Sequence, residues 1–260
     1  MAAGRAWTQV LAGAAAALQG VGARAMSSGT GAAAVRPRRS VLYMPGSNAR
    51  AMNKARTLPA DAIVLDLEDA VAPEKKAEAR GMVLEELRRG GFGKRELAVR
   101  ANGLDTAWAE EDIAMIAQSG AHAVALPKVE GGATVEHVQM LLRKHGAPRE
   151  LAIWSMIETP LGVLRAEEIC IAGKRANSAS GPPANAMTAV IMGTSDLTKD
   201  LRAEHTACRS ALTTSLQLVL LAARAHGMLA LDGVHLDLKN TDELLAHCRC
   251  CGCTGPRPTM

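Results

Sequence analysis

The chain has 260 residues, of which 48% are hydrophobic, 22% charged and only 2% aromatic, and its formal net charge is +4. This composition predicts a soluble protein of about one domain, whose core consists of Leu, Val, Ile, Met and Ala. So few aromatic residues exclude a base-stacking surface for nucleic acid, and no membrane partner is expected.

The first 39 residues form a segment of their own in composition. They are rich in Ala, contain five Arg, and hold no Asp or Glu. This pattern is typical of an organellar transit peptide. A mitochondrial address is favoured, a plastid address is the alternative, and a disordered tail is the third interpretation. Without this leader the remaining domain, predicted over residues 40–249, is nearly neutral.

Seven apolar, strand-like runs follow, separated by helical or loop segments. Their starts average about 31 residues apart, which is the size of a βα repeat in a parallel sheet. Polar residues stand at the ends of several different strands, which favours an α/β TIM (β/α)8-type barrel with seven βα units over an open doubly wound sheet. The runs are SVLYMPG from 40, AIVLDLED from 62, LAVRANG from 97, AVALPKV from 123, LAIWSMIET from 151, AVIMGTSDL from 189 and LALDGVHLD from 229.

Two stretches depart from the repeat. Residues 171–188 are rich in Ser, Gly, Pro and Ala and predict a flexible surface insertion. Residues 250–260, CCGCTGPRPTM, are predicted to be an aberrant Cys-rich tail that cannot supply an eighth strand and helix. Four cysteines, Cys248, Cys250, Cys251 and Cys253, crowd into the last 13 residues beside His247, so a soft-metal site is the alternative interpretation.

Two consecutive strands end in a carboxylate, Glu158 before Thr159-Pro160 and Asp196 after a Gly-Thr-Ser turn. In a parallel sheet the two carboxylates point into one crevice at the carboxyl edge. Oxygen ligands without a nearby His or Cys favour Mg²⁺ over Zn²⁺. The alternative is that both acids cap helices.

Arg100 ends the third strand, where a guanidinium suits a substrate carboxylate or phosphate, although a surface strand-end Arg is also common. Asp66 and Glu68 share one face of the second strand, and Asp69 follows in the turn. Near a cation these three acids would hold metal-bound waters, while the alternative for Asp69 is that it caps the next helix.

Basic side chains follow the first strand, which contains Tyr43. Arg50 and Lys54 stand four residues apart on the predicted helix and share a face. Such a pair suits the phosphates of a nucleotide-type arm such as that of coenzyme A, and it equally suits a solvated helix face.

In order and spacing these motifs resemble the HpcH/HpaI aldolase and citrate lyase beta-subunit superfamily, in particular its CoA-ester lyases. The resemblance runs from Arg39 to about Arg249 through RRSVLYMPGSN, DAIVLDLEDAV, VRANGLDT, ALPKVE, WSMIETPLGV, VIMGTSDLTKDLR and LAARAHGMLALDGVHLDL. It implies a TIM barrel, Mg²⁺ held by Glu158 and Asp196, and a catalytic, carboxylate-binding Arg100. Acidic groups around the metal match Asp66, Glu68 and Asp69, and the region facing the CoA ester matches Tyr43, Arg50 and Lys54.

The reaction that the resemblance implies is Mg²⁺-dependent cleavage or formation of a 3-hydroxyacyl-CoA, such as citramalyl-CoA or malyl-CoA, with acetyl-CoA and an α-keto acid as the products of cleavage. A homo-oligomer, trimer or hexamer, is implied as well. The resemblance ends after Arg249, where an eighth strand is expected, so a C-terminally truncated reading is inferred. Two alternatives remain open: a non-catalytic remnant or binding subunit, and a keto-acid aldolase that does not use CoA.

Overall fold

The computed structural model describes residues 38–174, 184–206, 208–237, 239–254 and 257–259. Most of the predicted leader and the middle of the predicted insertion lie outside these residues. The two arginines at the end of the leader belong to the folded domain. Arg38 pairs with Glu96 at the start of the third strand, and Arg39 pairs with Asp61 just before the second. The domain therefore includes two residues on the leader side of the predicted boundary.

The strands form one parallel sheet in sequence order, each paired with the next along the chain. All seven predicted strands are confirmed, each starting within two residues of its predicted position. The sheet curls as the TIM-barrel prediction requires. The strands are β1 (Val41–Pro45), β2 (Ala62–Asp66), β3 (Glu96–Arg100), β4 (Ala123–Leu126), β5 (Ala152–Ile157), β6 (Met187–Met192), β7 (Leu229–Val234) and β8 (Arg257–Thr259).

Helices follow the first seven strands, as in a βα repeat. None of them, within the described ranges, is both long and apolar enough to cross a membrane. The α-helices are α1 (Ala49–Ala55), α2 (Lys76–Arg89), α3 (Ala109–Ala117), α4 (Gly132–Lys144), α5 (Pro160–Leu164), α6 (Ala166–Lys174), α7 (Thr194–Asp200), α8 (Thr213–Ala225) and α9 (Thr241–Thr254), and short 3₁₀ turns, Pro73–Lys75 and Ser210–Leu212, precede α2 and α8.

Successive side chains along each strand point alternately into two packed layers, one on each face of the sheet. Side chains on the inner face form a small core dominated by alanines around the fully buried Trp154. Side chains on the outer face form the larger core beneath the helices. The next inward-facing position on four of these strands, two residues beyond the inner core, holds a polar side chain at the carboxyl end of the curled sheet. These side chains are Tyr43, Asp66, Arg100 and Glu158. The two-residue period of the strands thus assembles the candidate site.

The segment after β7 differs from its prediction. Helix α9 runs through Thr254, five residues into the predicted tail, and β8 pairs in parallel with β7. The expectation that this stretch cannot supply an eighth strand and helix is wrong for the strand, although β8 has only three residues. Pairing uses backbone groups alone, so a stretch with no apolar pattern can still add to the exposed edge of β7.

The prediction of a flexible surface insertion over residues 171–188 is wrong at both ends of that segment. Its first four residues belong to α6, and Asn185, near its end, is 1% exposed. The Asn185 amide donates to the carbonyls of Pro148 and Leu151 at 2.8 and 3.0 Å. The low-complexity composition of this segment gave no sign that Asn185 is buried and satisfies two backbone carbonyls.

Candidate active site

Glu158 is the first residue after β5 and continues its inward-facing row. The residue is 4% exposed, and Oε1 accepts a 2.7 Å hydrogen bond from the backbone N–H of Lys128. The chain enters α5 at once because Thr159 Oγ1 caps that helix, accepting from the N–H of Gly162 at 3.1 Å. Lys128 itself has φ of 49°, in the left-handed region that non-glycine residues rarely adopt. Local backbone geometry therefore fixes the carboxylate.

Asp196 lies in the first turn of α7, directly after β6, and is half-buried. Gly193 links β6 to α7 beneath Glu158. A Cβ at Gly193 would lie 2.2 Å from Glu158 Oε2 and 2.3 Å from Glu158 Cβ, so glycine is needed here for space. Gly193 is also the N-cap of α7, and no side chain caps this helix. The helix-capping interpretation of Asp196 is therefore wrong.

The two carboxylates interact with each other and with neighbouring charges. Burial raises the pKa of Glu158, the hydrogen bond from Lys128 lowers it, and the charge of Asp196 raises it again. Burial lowers the pKa of Lys128, but Glu68, Asp196, Glu158 and Asp69 together raise it by more. Four acids thus face one exposed lysine, which leaves an excess of negative charge at this edge of the barrel.

Arg100 ends β3 opposite Asp66 in the strand register. Its Nε and Nη2 donate to the two oxygens of Asp66 at 2.7 and 2.6 Å, and the arginine side chain is 10% exposed. Asp66 also accepts from the N–H groups of Glu68 and Ala70. Its four acceptor positions are then all occupied by protein donors. Asp66 therefore positions Arg100 and the turn after β2, and its contact with a metal-bound water stays a prediction.

Glu68 and Tyr43 present buried polar atoms beside Arg100. Glu68 Oε2 lies 2.8 Å from Arg100 Nη1 in an ion pair but is not aligned for a hydrogen bond. Burial raises the pKa of Glu68 to about 7, although Arg100 lowers it. The Tyr43 hydroxyl has no hydrogen-bond partner, its ring centroid lies 5.5 Å from Arg100 Cζ, and burial raises its pKa. A polar ligand bound here would satisfy both atoms.

The remaining predicted residues lie at the border of this group. Asp69 is exposed, and Oδ2 lies 3.6 Å from Arg100 Nη1. The 3₁₀ turn after it has Ala72 as its N-cap and no side-chain cap, so the helix-capping interpretation of Asp69 is wrong. Arg50 is exposed on α1, and Lys54, four residues on, is half-buried. The assignment of these two residues to CoA stays a prediction.

Two positioning residues were missed at the level of sequence. Lys76 is 5% exposed, and its Nζ donates to the carbonyls of Leu67 and Glu68 at 2.8 and 2.7 Å. Asp112 is fully buried, and its Oδ2 accepts from the backbone N–H and from the side-chain amide of Asn102. Each stands on the apolar stripe of its helix, α2 or α3, and a charged residue on such a stripe is the signal that could have revealed them.

The donor set fits magnesium. In the described part of the chain no three His, Cys, Asp or Glu side chains form a ready metal cluster. Two carboxylates, with water and substrate oxygens completing the octahedron, are what Mg²⁺ commonly uses. A dication between Glu158 and Asp196 would also offset the charge that raises the pKa of Glu158.

The family model described as HpcH/HpaI aldolase/citrate lyase matches residues 39–255. The chain belongs to this family. Relatives include the (3S)-malyl-CoA thioesterase of Cereibacter sphaeroides, 43% identical over 212 residues that cover 82% of this chain and 68% of the relative. Citrate lyase subunit beta of Escherichia coli is 34% identical over 210 residues, 79% of this chain and 66% of that protein.

Family structures share the fold. The CitE protein of Mycobacterium tuberculosis, in complex with magnesium, acetoacetate and coenzyme A, superposes with a TM-score of 0.67 at 28% identity. The match covers 85% of this chain and 74% of that one. The barrel predicted from the strand repeat is therefore the barrel of the family.

Proposed function

We propose that this chain is a Mg²⁺-dependent carbon–carbon lyase that cleaves a 3-hydroxyacyl-CoA, such as citramalyl-CoA or malyl-CoA, into acetyl-CoA and an α-keto acid. The observation that carries the proposal is the buried Glu158 lying over Gly193 at the start of the helix that bears Asp196. Membership of a citrate lyase family and the magnesium named for the CitE complex support it.

Glu158 and Asp196 would hold the ion, which would polarise the 3-hydroxyl and carboxylate oxygens of the substrate. Arg100 supports the same reaction from β3. Burial lowers the pKa of Arg100, but the bond to Asp66 and the charge of Glu68 raise it by more, so the guanidinium stays charged. Its remaining N–H groups can bind a substrate carboxylate and offset negative charge as the bond breaks.

Cleavage requires that the 3-hydroxyl group lose its proton while the carbon–carbon bond electrons pass to the acetyl-CoA fragment, which is then protonated. Glu68 is the candidate proton acceptor, because its buried Oε2 lacks a hydrogen-bond partner and its pKa of about 7 lets it exchange a proton near neutrality. The Tyr43 hydroxyl, buried beside Arg100, is placed to donate a hydrogen bond to the same ligand.

We assign the CoA arm to the side of the barrel where α1 follows β1. Arg50 and Lys54 stand one turn apart there and supply two positive charges toward phosphate groups. In steady-state kinetics, Arg50→Ala and Lys54→Ala should raise KM for the acyl-CoA and change kcat little. Arg88→Ala, at an exposed arginine of α2, is the matched control.

The primary test measures acetyl-CoA and keto acid released from citramalyl-CoA and malyl-CoA, with and without Mg²⁺. Glu158→Gln and Asp196→Asn should abolish turnover, and Asp200→Asn, on an exposed residue one turn further along α7, should retain it. Turnover of the free hydroxy acid would instead favour an aldolase that does not use CoA. Magnesium binding without turnover of any substrate would favour a non-catalytic subunit.

A second candidate function is hydrolysis of the CoA thioester, because one relative at 43% identity is named a thioesterase. The two reactions differ in their products. Hydrolysis releases the free CoA thiol and the intact hydroxy acid, whereas cleavage leaves the thioester in acetyl-CoA. Assaying free thiol beside keto acid in one reaction mixture separates them.

We also propose a mitochondrial location and a homo-oligomeric state, a trimer or hexamer. The acid-free, Arg-bearing first 39 residues support the location. A fluorescent protein carrying these residues should enter mitochondria, and import into plastids would favour the alternative. Light scattering from the purified full chain measures the oligomeric state, and a monomer at assay concentration would contradict the second proposal.

A further inference from the structure

A cavity of about 260 Å³ opens at the carboxyl edge of the barrel, between α7 and the segment that follows it, the end of β7, and α9. Thr194 and Ser195 form one wall, so the cavity lies beside the helix that carries Asp196. His235, just after β7, and His247 on α9 also line the cavity. The lyase proposal assigns no role to either histidine.

The two histidines form a close pair. Their ring centroids lie 5.6 Å apart, and the ring planes meet at 81°. The Nε2 atom of each ring is buried and has no hydrogen-bond partner. Two neighbouring buried nitrogens without partners are unfavourable, unless one ligand satisfies both.

The separation suits a metal ion shared by the two rings. A Zn²⁺ ion lies about 2.1 Å from an imidazole nitrogen, so two rings sharing one ion in tetrahedral geometry have centroids about 5 Å apart. The observed centroid distance of 5.6 Å is therefore close to that of a two-histidine site.

The charges around the pair favour a cation over an anion. Four carboxylates line the cavity, and its one arginine, Arg209, is paired with one of them. Glu243 stands one turn before His247 on α9, on the same helix face. Imidazole ligands favour zinc and its transition-metal neighbours over magnesium. The carboxylates are Glu204, Asp232, Asp237 and Glu243.

We propose that His235 and His247 bind one Zn²⁺-class transition-metal ion through their Nε2 atoms, with water in the remaining positions. No ready cluster of three such ligands exists among the described residues, so two protein ligands define the site. The bound ion ties α9 to the end of β7. It is separate from the oxygen-ligand site of Glu158 and Asp196, and it does not depend on the lyase activity.

The test uses the full chain and Co²⁺, whose visible absorption reports tetrahedral coordination. The wild type should bind one Co²⁺ with tetrahedral bands, Zn²⁺ should displace it, and Zn²⁺ should raise the melting temperature. His235→Ala and His247→Ala should each weaken binding by more than about 10-fold, because loss of an outer-shell partner alone costs about 10 to 100-fold. His226→Ala, which removes a histidine at the end of α8 outside the cavity, should leave binding unchanged.

Glu158→Gln/Asp196→Asn separates the two sites, because it should retain the tetrahedral bands. Loss of the bands in this variant would place the ion at the carboxylates and overturn the proposal. A thiolate charge-transfer band that persists in His235→Ala would assign the metal to cysteines and would also overturn it. Circular dichroism of each variant verifies that the loss of binding is not unfolding.

Discussion

Gly193→Ala tests the candidate site with the smallest possible change. A methyl group at this position would lie 2.2 Å from Glu158 Oε2 and 2.3 Å from Glu158 Cβ. Both distances are more than about 1 Å shorter than ordinary van der Waals contact. Rotation can move the carboxylate away, but the Cβ atom moves only with the backbone of β5. The variant must therefore displace Glu158.

Two magnitudes follow from that displacement. Overpacking of this kind costs about 1 to 3 kcal/mol of stability. Metal ligands tolerate about 0.2 Å of misplacement, and a shift of about 1 Å in a catalytic group costs about 100-fold in rate. We therefore expect a moderate loss in the free energy of unfolding and a much larger loss in Mg²⁺ affinity and turnover.

The assay combines calorimetric titration with Mg²⁺, urea unfolding and the acetyl-CoA release assay. Gly81→Ala is the matched control, because Gly81 lies within α2 and a Cβ there meets no atom within 4 Å. Alanine should stabilise that helix by up to about 1 kcal/mol and leave Mg²⁺ binding unchanged. Wild-type Mg²⁺ affinity and turnover in Gly193→Ala would refute the assignment of Glu158 as a metal ligand.

Three further predictions concern the residues around Arg100. Arg100→Met removes the cation paired with the buried Asp66 and should cost about 3 to 5 kcal/mol in urea unfolding, and a cost below about 1 kcal/mol would contradict this. Burial raises the pKa of Glu68 from 4.5 to about 7, so the folded state binds the extra proton. The stability of the metal-free wild type relative to Glu68→Gln should therefore fall as pH rises from about 4.5 to about 7, and a pH-independent difference would refute the shift. Lys76→Met leaves the carbonyls of Leu67 and Glu68 without their donor and should destabilise by about 1 to 3 kcal/mol, with turnover reduced further than in a variant of equal stability elsewhere.

The position of the polar site residues at the ends of strands was predictable from the sequence, because it depends on the local alternation of side chains. Alternation along β2, β3 and β5 carries Asp66, Arg100 and Glu158 to the same edge once the strands are parallel and in register. The prediction of seven strands depends on the same pattern and on the regular spacing of the repeat. The short β8 was missed because its pairing with β7 needs only backbone groups and leaves no signature in the side chains.

By itself the sequence determined the βα repeat, the curled parallel sheet, the family and the set of acids at the carboxyl edge, since each follows from periodicity or from motifs contiguous in the chain. Tertiary structure alone decided what those acids contact. Donors from Arg100 and the turn after β2 occupy Asp66, Gly193 makes room for Glu158, and Lys76 holds the turn that contains Glu68. The physical reason is that such contacts join residues many positions apart, and their distances depend on strand register, sheet curvature and helix packing, which no local pattern encodes.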